Sequence, residues 1–335
     1  MSLWPSSRAR QPPRAAWSME RLLAEHSITL GCALDQSTQY MYSSALNSYL
    51  TFCQLHHLDP DPTVNTLSLY ITFMSHHIEP RSVRSYLAGI VCELEPSYPY
   101  VRQNQYSPLV VRTLKGSMRR FFNTVQQKSP LTRDDPRHVY NHLPRPLTHD
   151  NLVFLTMLLL GFFGLRRLGE LMQPDTSSLA KTSWRHGVCL DSTSFSFIIP
   201  QSKTDAMFEG NQVVIEKSTT APDPFAVFRK YLRSCDSLFP LFPQLWLRSD
   251  GSVPSRSWFL SRLHMFFPRS IGGHSMRAGG STSLAAAGVP PSQIQAIGRW
   301  RSDTFECYIC CHSTLLQAVL FHGRSIHDPP FANVS

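Results

Sequence analysis

The chain has 335 residues, of which 42% are hydrophobic, so it can bury a sizeable core and suits two domains better than one. Lys and Arg outnumber Asp and Glu by 32 to 23, and the formal net charge of +9 favours a polyanionic partner, although a basic soluble protein without one fits the charge equally well. The longest apolar run, LVFLTMLLLGFFGL, is shorter than the ~20 residues of a spanning helix and stops at Arg166, so we expect no membrane segment.

The first 34 residues are predicted to be a disordered basic tail. Their opening stretch, MSLWPSSRARQPPRAAW, is rich in Arg and Ser and contains no acidic residue, as is typical of organelle transit peptides. Pro5, Pro12 and Pro13 would interrupt the amphipathic helix that such a peptide needs. Residues 326–335 are likewise predicted to be a flexible tail.

Residues 35–125 are predicted to form a helical domain. Apolar residues recur at helical spacing over 38–55, and a second helix over 64–74 follows a Pro-Thr start signal. A third helix opens at Ser82, and a fourth covers LVVRTLKGSMRRFFN.

The fourth helix carries a basic stripe. Arg112, Lys115 and Arg119 are spaced i, i+3 and i+7, so they share one face. Such a stripe is either a solvated face or a surface that follows phosphates, and the spacing alone does not decide between them. We assign these three residues, with Arg81 and Arg84 of the third helix, as DNA-binding candidates.

A linker is predicted over residues 126–143, where Pro and charged residues are dense and helical periodicity is missing. Both PLTRDD and PLTHDN resemble helix starts capped by Thr, but Pro136 interrupts the first. We therefore expect the second domain to cover residues 144–325.

This second domain is predicted to be mainly α with a small antiparallel β-sheet. A helix over 149–160 leads to RRLGELM, and FSFIIP and QVVIEK have the character of strands joined by QSKTDAMFEGN. Helices resume at Asp223 and continue to His322.

A candidate anion site lies at His274 and Arg277. They are three residues apart, so in a helix that opens at Gly273 they project from the same first turn. That turn also offers free backbone N–H groups and the positive end of the helix dipole. The helix should end near Gly288 and the next one near Gly298.

Arg299 and Trp300 should then fall in a turn. A following helix has a capping signature in Asp303 and Glu306, which places Tyr308 in its early turns. Taken individually, Trp300 and Tyr308 fit packing in the protein core as well as they fit a functional site.

A second cationic group lies in GLRRLGEL. Arg167 precedes Glu170 by three residues, so the carboxylate can hold the guanidinium and leave other donors for a ligand. We prefer Arg167 to Arg166 because of this spacing. Lys203, in the loop between the two strands, adds a further cation.

The eight cysteines form no regular framework, which indicates a reducing compartment. Cys307, Cys310, Cys311 and His312 resemble half of a zinc site, but the second, separated ligand pair is missing. Because Cys307 and Cys311 would share a helix face, packing is the preferred interpretation, and we predict no metal.

The chain contains, in this order, R-x-x-E-L, a hairpin lysine, H-x-x-R, G-R-W and a tyrosine eight residues after the tryptophan. This pattern resembles the tyrosine recombinase, or phage integrase, superfamily. The likeness covers about residues 35–322, and G-R-W-x-S-D-x-F-x-x-Y-I most resembles the Crypton and DIRS-like elements of eukaryotes, particularly fungi. It implies an N-terminal helical SAM-like core-binding domain followed by a C-terminal catalytic domain that breaks and rejoins DNA.

The resemblance also implies roles for individual residues. Tyr308 would be the nucleophile, Lys203 the general acid for the leaving 5′ hydroxyl, and His274 an aid to proton transfer. Arg167 and Arg277 would hold the nonbridging phosphate oxygens. The remaining assignments are Trp300, which would pack against the phosphate or donate to it, Glu170, which would support Arg167, and Arg299, which would contact DNA.

We therefore expect a site-specific recombinase that integrates a mobile element through a 3′-phosphotyrosyl intermediate. It would need neither metal nor ATP, act on double-stranded DNA as a homotetramer on paired sites, and reside in the nucleus. Two alternatives remain: a domesticated DNA-binding protein that no longer recombines, and a monomeric enzyme that relaxes DNA like a type IB topoisomerase.

Overall fold

The computed structural model describes residues 14–121, 128–172, 182–199, 211–219 and 221–300. The chain divides into two compact units, Met1–Val125 and Gln126–Ser335. None of the described helices is long and apolar enough to cross a membrane.

Unit 1 is helical throughout its described part. Its helices are α1 (Met19–Gly31), α2 (Gln36–Leu55), α3 (Val64–Met74), α4 (Pro80–Leu94), α5 (Val101–Gln105) and α6 (Pro108–Arg120). Side-chain caps fix the starts of α3 and α6: the hydroxyls of Thr63 and Ser107 accept from the backbone N–H groups of Thr66 and Val110.

The core of unit 1 lies between α2, α3, α4 and α6, around Tyr49, Tyr70 and Leu87. Helices α2 and α4 approach closely at Gly89, where a Cβ atom would lie 2.9 Å from Tyr42 Cδ1. The apolar spacing along α2 predicted which face of that helix is buried. The close crossing of α2 and α4 depends instead on a residue without a side chain, Gly89.

Part of the predicted N-terminal tail is helical. Ser18 caps α1 by accepting from the Arg21 backbone N–H, and none of the α1 residues is buried. The structure therefore differs from the predicted disorder over Met19–Gly31, where the Ser18 cap and the hydrogen bonds of α1 are all local. Residues 1–13 of the predicted tail lie outside the described residues.

Unit 2 combines helices with a small sheet, which confirms the predicted fold class. The helices are α7 (Asp135–His142), α8 (His149–Phe163), α9 (Leu168–Leu171), α10 (Pro224–Leu238), α11 (Arg256–Leu263), α12 (Gly273–Ala286) and α13 (Pro291–Gly298). The strands β1 (Cys189–Leu190), β2 (Ser194–Ile199) and β3 (Asn211–Glu216) form an antiparallel sheet in the order β1-β2-β3. Phe195 faces Ile215, and Ile199 faces Asn211.

Helix α8 lies at the centre of unit 2, where it is apolar on all sides and packs against α10 and α12. Two adjacent glycines let α12 approach its neighbours. A Cβ atom on Gly279 would lie 2.0 Å from the Leu131 carbonyl oxygen, and one on Gly280 would lie 2.0 Å from that of Phe162. These contacts place the middle of α12 against the end of α8 and against the segment around Leu131.

The described part of the predicted linker over residues 126–143 contains helix α7. Pro136 lies in the first turn of α7, where its missing N–H costs nothing, instead of interrupting the helix. Leu131, Val139 and Leu143 are buried in the core of unit 2. Three apolar residues among many polar ones gave too weak a periodicity to reveal the helix.

Candidate functional site

The described residues include six of the predicted site residues of unit 2: Arg167, Glu170, His274, Arg277, Arg299 and Trp300. Lys203, Tyr308 and the cysteine cluster at 307, 310 and 311 lie outside them.

The starts of α9 and α12 meet at Gly273. A Cβ atom there would lie 2.8 Å from Leu168 Cδ2, so a larger residue would require the Leu168 side chain to shift. Ser275 fixes the first turn of α12, since its hydroxyl accepts from the Gly272 backbone N–H (2.9 Å). Its carbonyl oxygen accepts from the Leu131 N–H (3.0 Å). The first turn of α12 is thus held beside the residue that begins α9.

Arg167 and Glu170 form the predicted ion pair. The Arg167 guanidinium donates to Glu170 Oε1 (2.9 Å), and the Arg167 backbone N–H donates to Oε2 (3.1 Å). About 25% of the Arg167 side-chain surface remains exposed, against 9% for Glu170. The carboxylate therefore orients a guanidinium that a ligand can still reach.

Arg277 is almost completely buried, with 2% of its surface exposed. Its Nη1 donates to the carbonyl oxygen of Leu165 (2.9 Å), and its Nη2 donates to that of Gly298. The guanidinium carbon lies 4.0 Å from the centre of the Trp300 ring. Backbone carbonyls and an aromatic face thus fix the plane of this cation.

Trp300 is placed by the residues just before it. Gly298 ends α13, and a Cβ atom on it would lie 1.6 Å from Trp300 Cζ3, so the ring occupies the space above this glycine. Arg299 turns the chain with a left-handed φ of 54°. Its guanidinium donates to the Gln212 carbonyl oxygen of β3. The sequence G-R-W thus encodes a helix end that covers Arg277 with an indole.

His274 is exposed at the first turn of α12. Partial desolvation lowers its pKa from the ordinary 6.5, and the nearby guanidinium groups of Arg256, Arg277 and Arg167 lower it further because they repel the imidazolium. The neutral imidazole is therefore the main form at pH 7. Arg256, which begins α11, is a neighbour that sequence reasoning missed, because no spacing rule connects it to His274.

Arg166 is the second residue that sequence reasoning passed over. It is 5% exposed, and its guanidinium donates to the carbonyl oxygens of Gly164 and Ile297. Burial lowers the pKa of Arg166 to about 10, and the charges of Arg299 and Arg167 add to this effect while Glu170 opposes it. The structure therefore separates the two adjacent arginines into one buried residue and one that faces solvent.

The five DNA-binding candidates of unit 1 are all exposed. Arg112, Lys115 and Arg119 lie on the face of α6 opposite the buried Val110 and Ser117, and Arg81 and Arg84 are exposed on α4.

The electrostatics of unit 2 favour an anion. Among the described residues, the charged groups that shift the pKa values of His274 and Arg166 are the arginines at positions 167, 256, 277 and 299 and a single carboxylate, Glu170. With Arg166 itself, this region contains five arginines. Arg277 and Arg167 have guanidinium groups whose directions are fixed by hydrogen bonds. Such oriented cations suit the oxygens of a phosphate.

Comparison with known proteins gives matches of structure only. No family model matches the sequence, and no curated protein matches it. The Tn1549 transposon integrase in complex with circular intermediate DNA superposes with a TM-score of 0.55 at 12% identity, over 89% of this chain and 97% of that one. The XerH site-specific recombinase in a post-cleavage complex with its palindromic difH substrate gives 0.53 at 14% identity, over 77% and 71%.

A lambda integrase dimer bound to a COC′ core site gives a TM-score of 0.51 at 14% identity, over 86% of this chain and 94% of that one. The chain therefore has the fold of the tyrosine recombinase and integrase superfamily.

Proposed function

We propose that the protein is a site-specific DNA recombinase that cleaves duplex DNA through a 3′-phosphotyrosyl intermediate and rejoins the strands. The observation that carries this proposal is the meeting of α9 and α12, which brings Arg167 and Arg277 close to His274 within a recombinase fold, with Trp300 packed on Arg277.

The reaction needs what this cluster offers. Transfer of a phosphoryl group spreads negative charge over the nonbridging oxygens, and preorganised arginines stabilise that charge more than the ground state. The Tyr308 oxygen would attack the phosphorus, and the bond to the 5′ oxygen would break. A proton from Lys203 would complete the 5′ hydroxyl. The roles of Tyr308 and Lys203 rest on the sequence resemblance.

His274 would accept the proton that Tyr308 loses. An imidazole that is neutral at pH 7 can take up this proton, whereas an imidazolium cannot. Desolvation and the surrounding arginines both favour the neutral imidazole, and the arginines would also attract the phosphate.

Double-stranded DNA is the proposed partner. The similar structures named above contain recombinases or integrases with DNA, and the exposed cations of α4 and α6 offer a second surface for a phosphate backbone. Action as a tetramer on paired sites, integration of a mobile element and residence in the nucleus complete the proposal.

Trapping the covalent complex tests this function. Wild-type protein and Tyr308→Phe would be incubated with suicide duplexes that carry a candidate element terminus, then denatured and resolved by gel electrophoresis. We expect wild type to form protein-linked DNA on the 3′ side of the break and Tyr308→Phe to bind DNA without forming it. Tyr106→Phe, which alters an exposed tyrosine of unit 1, is the matched control and should keep the adduct.

The other outcomes separate the alternatives. DNA binding without an adduct, on nicked and supercoiled substrates as well, would support the domesticated DNA-binding protein. An adduct with relaxation of supercoils but no strand exchange between duplexes would support the topoisomerase-like enzyme. An adduct formed by Tyr308→Phe would disprove the assignment of the nucleophile.

A further inference from the structure

Two buried arginines of unit 2 connect the same two backbone segments. Arg277 donates to the carbonyl oxygens of Leu165 and Gly298, and Arg166 donates to those of Gly164 and Ile297. The two guanidinium groups therefore form parallel cross-links between the turn after α8 and the end of α13.

All four carbonyl groups lie at or just beyond helix ends. Gly164 caps the C-terminal end of α8, and Leu165 follows it with a left-handed φ of 52°. Ile297 and Gly298 belong to the last turn of α13. Carbonyl groups at helix ends have no intrahelical donor, and buried ones need another, for which a cation is electrostatically favourable.

We infer that Arg166 is a positioning residue that holds the segment 297–300, and with it Trp300, against the turn after α8. This inference rests on the proposed function and deepens it. In the proposed function, Arg277 would share its N–H donors between a phosphate and the carbonyl oxygens of Leu165 and Gly298. Arg166 makes the same connection without facing the ligand, so the junction does not depend on Arg277 alone.

The cost of burying the Arg166 guanidinium supports this positioning role. A buried cation beside other arginines is costly, and an apolar residue of similar volume would avoid that cost. Only a planar fork spans Gly164 and Ile297 at once, because a lysine ammonium is a single point on a flexible stem. We therefore expect Arg166→Lys to behave more like Arg166→Ala than like the wild type.

The first test is kinetic. Single-turnover adduct formation at saturating protein would be measured for wild type, Arg166→Ala and Arg166→Lys, well below their unfolding temperatures. We expect adduct formation to slow about tenfold to a hundredfold, as a displaced active site does, while DNA binding stays within about twofold. Millimolar guanidinium should partly restore the rate of Arg166→Ala and leave that of Arg166→Lys unchanged.

Arg185→Met is the matched control. Arg185 is also a largely buried arginine of unit 2 that donates to backbone carbonyls, but these belong to Phe239 and Gln244. Its loss should lower stability and leave the adduct rate of the folded protein unchanged. An equal loss of rate in Arg185→Met, or a wild-type rate in Arg166→Ala, would overturn the inference.

A second readout is independent of activity. The backbone N–H groups of Arg299 and Trp300 donate to Ala296 and Gln295 (3.1 Å each), so their hydrogen exchange reports how firmly the segment is held. Exchange should rise in Arg166→Ala and not in Arg185→Met. If wild type forms no adduct but this difference appears, the proposed function fails and the positioning role stands. If exchange is unchanged, the positioning role fails.

Discussion

Arginines occur in two different settings in this molecule. In unit 2, Arg166 and Arg277 are buried and bonded to backbone carbonyls, and Arg167 is held by Glu170. On α6 of unit 1, Arg112 and Arg119 project into solvent from the exposed face. The same side chain is thus a fixed cation in one region and a mobile surface charge in the other.

The two settings suit different roles. A guanidinium with a fixed plane costs no reorganisation when charge develops on a ligand, so it can stabilise a transition state. An exposed stripe attracts a polyanion at long range, is screened by salt and gives affinity without chemistry. The following predictions test this division of roles.

Arg277→Lys should have the largest effect. One ammonium group cannot replace the fork that spans Leu165 and Gly298, so adduct formation should fall by about a hundredfold or more. One unpaired carbonyl should also lower the free energy of unfolding by about 1–3 kcal/mol. Arg119→Lys on α6 is the control and should change stability by less than about 0.5 kcal/mol. Equal effects of the two variants on adduct formation would contradict the comparison.

Gly298→Ala should have the next largest effect on stability. The new methyl group would overlap the Trp300 ring, and we expect a loss of about 1–3 kcal/mol from overpacking. Gly116→Ala in α6 meets nothing within 4 Å and should instead stabilise the protein by about 0.5–1 kcal/mol. Thermal unfolding and tryptophan fluorescence would measure both. Unchanged stability of Gly298→Ala would show that Trp300 does not need this glycine.

Replacing Arg112, Lys115 and Arg119 by Gln should weaken DNA binding about tenfold at moderate salt. If all three contact phosphates, the slope of log K against log salt should become shallower by about 2.7. The adduct rate at saturating DNA should stay at the wild-type value. An unchanged slope would assign the stripe to a solvated face.

Arg256→Gln should have the smallest effect, confined to His274. Removing one repelling cation should raise the pKa of His274 towards 6.5, so the imidazole becomes protonated at a higher pH. The acid limb of the adduct rate should therefore move to higher pH. Nuclear magnetic resonance titration, with the His274 signal assigned through His274→Gln, measures the shift directly. A pKa that stays the same or falls would contradict this account.

The sequence predicted the elements of the site better than their connections. Helix starts at Thr63, Thr148 and Gly273 follow from caps and spacing, and the Arg167 and Glu170 ion pair follows from a separation of three residues. Helix α7 was missed because few of its residues are apolar. Arg256 was missed, and the role of Arg166 was not predicted, because His274 and Ile297 lie far along the chain from them, where local periodicity carries no information.

Most of the helical and strand segments could be predicted from the sequence, because they depend on neighbours within one or two turns, although α1 and α7 are exceptions. The basic charge and the residue types that suit phosphoryl transfer are properties of the sequence itself. Tertiary structure decided which cations are fixed and which are exposed. Glycines at 279, 280 and 273 let α12 approach Leu131, Phe162 and α9, and that approach buries Arg277. Burial depends on where distant segments meet, so no local pattern predicted that Arg166 is buried while Arg167 is partly exposed.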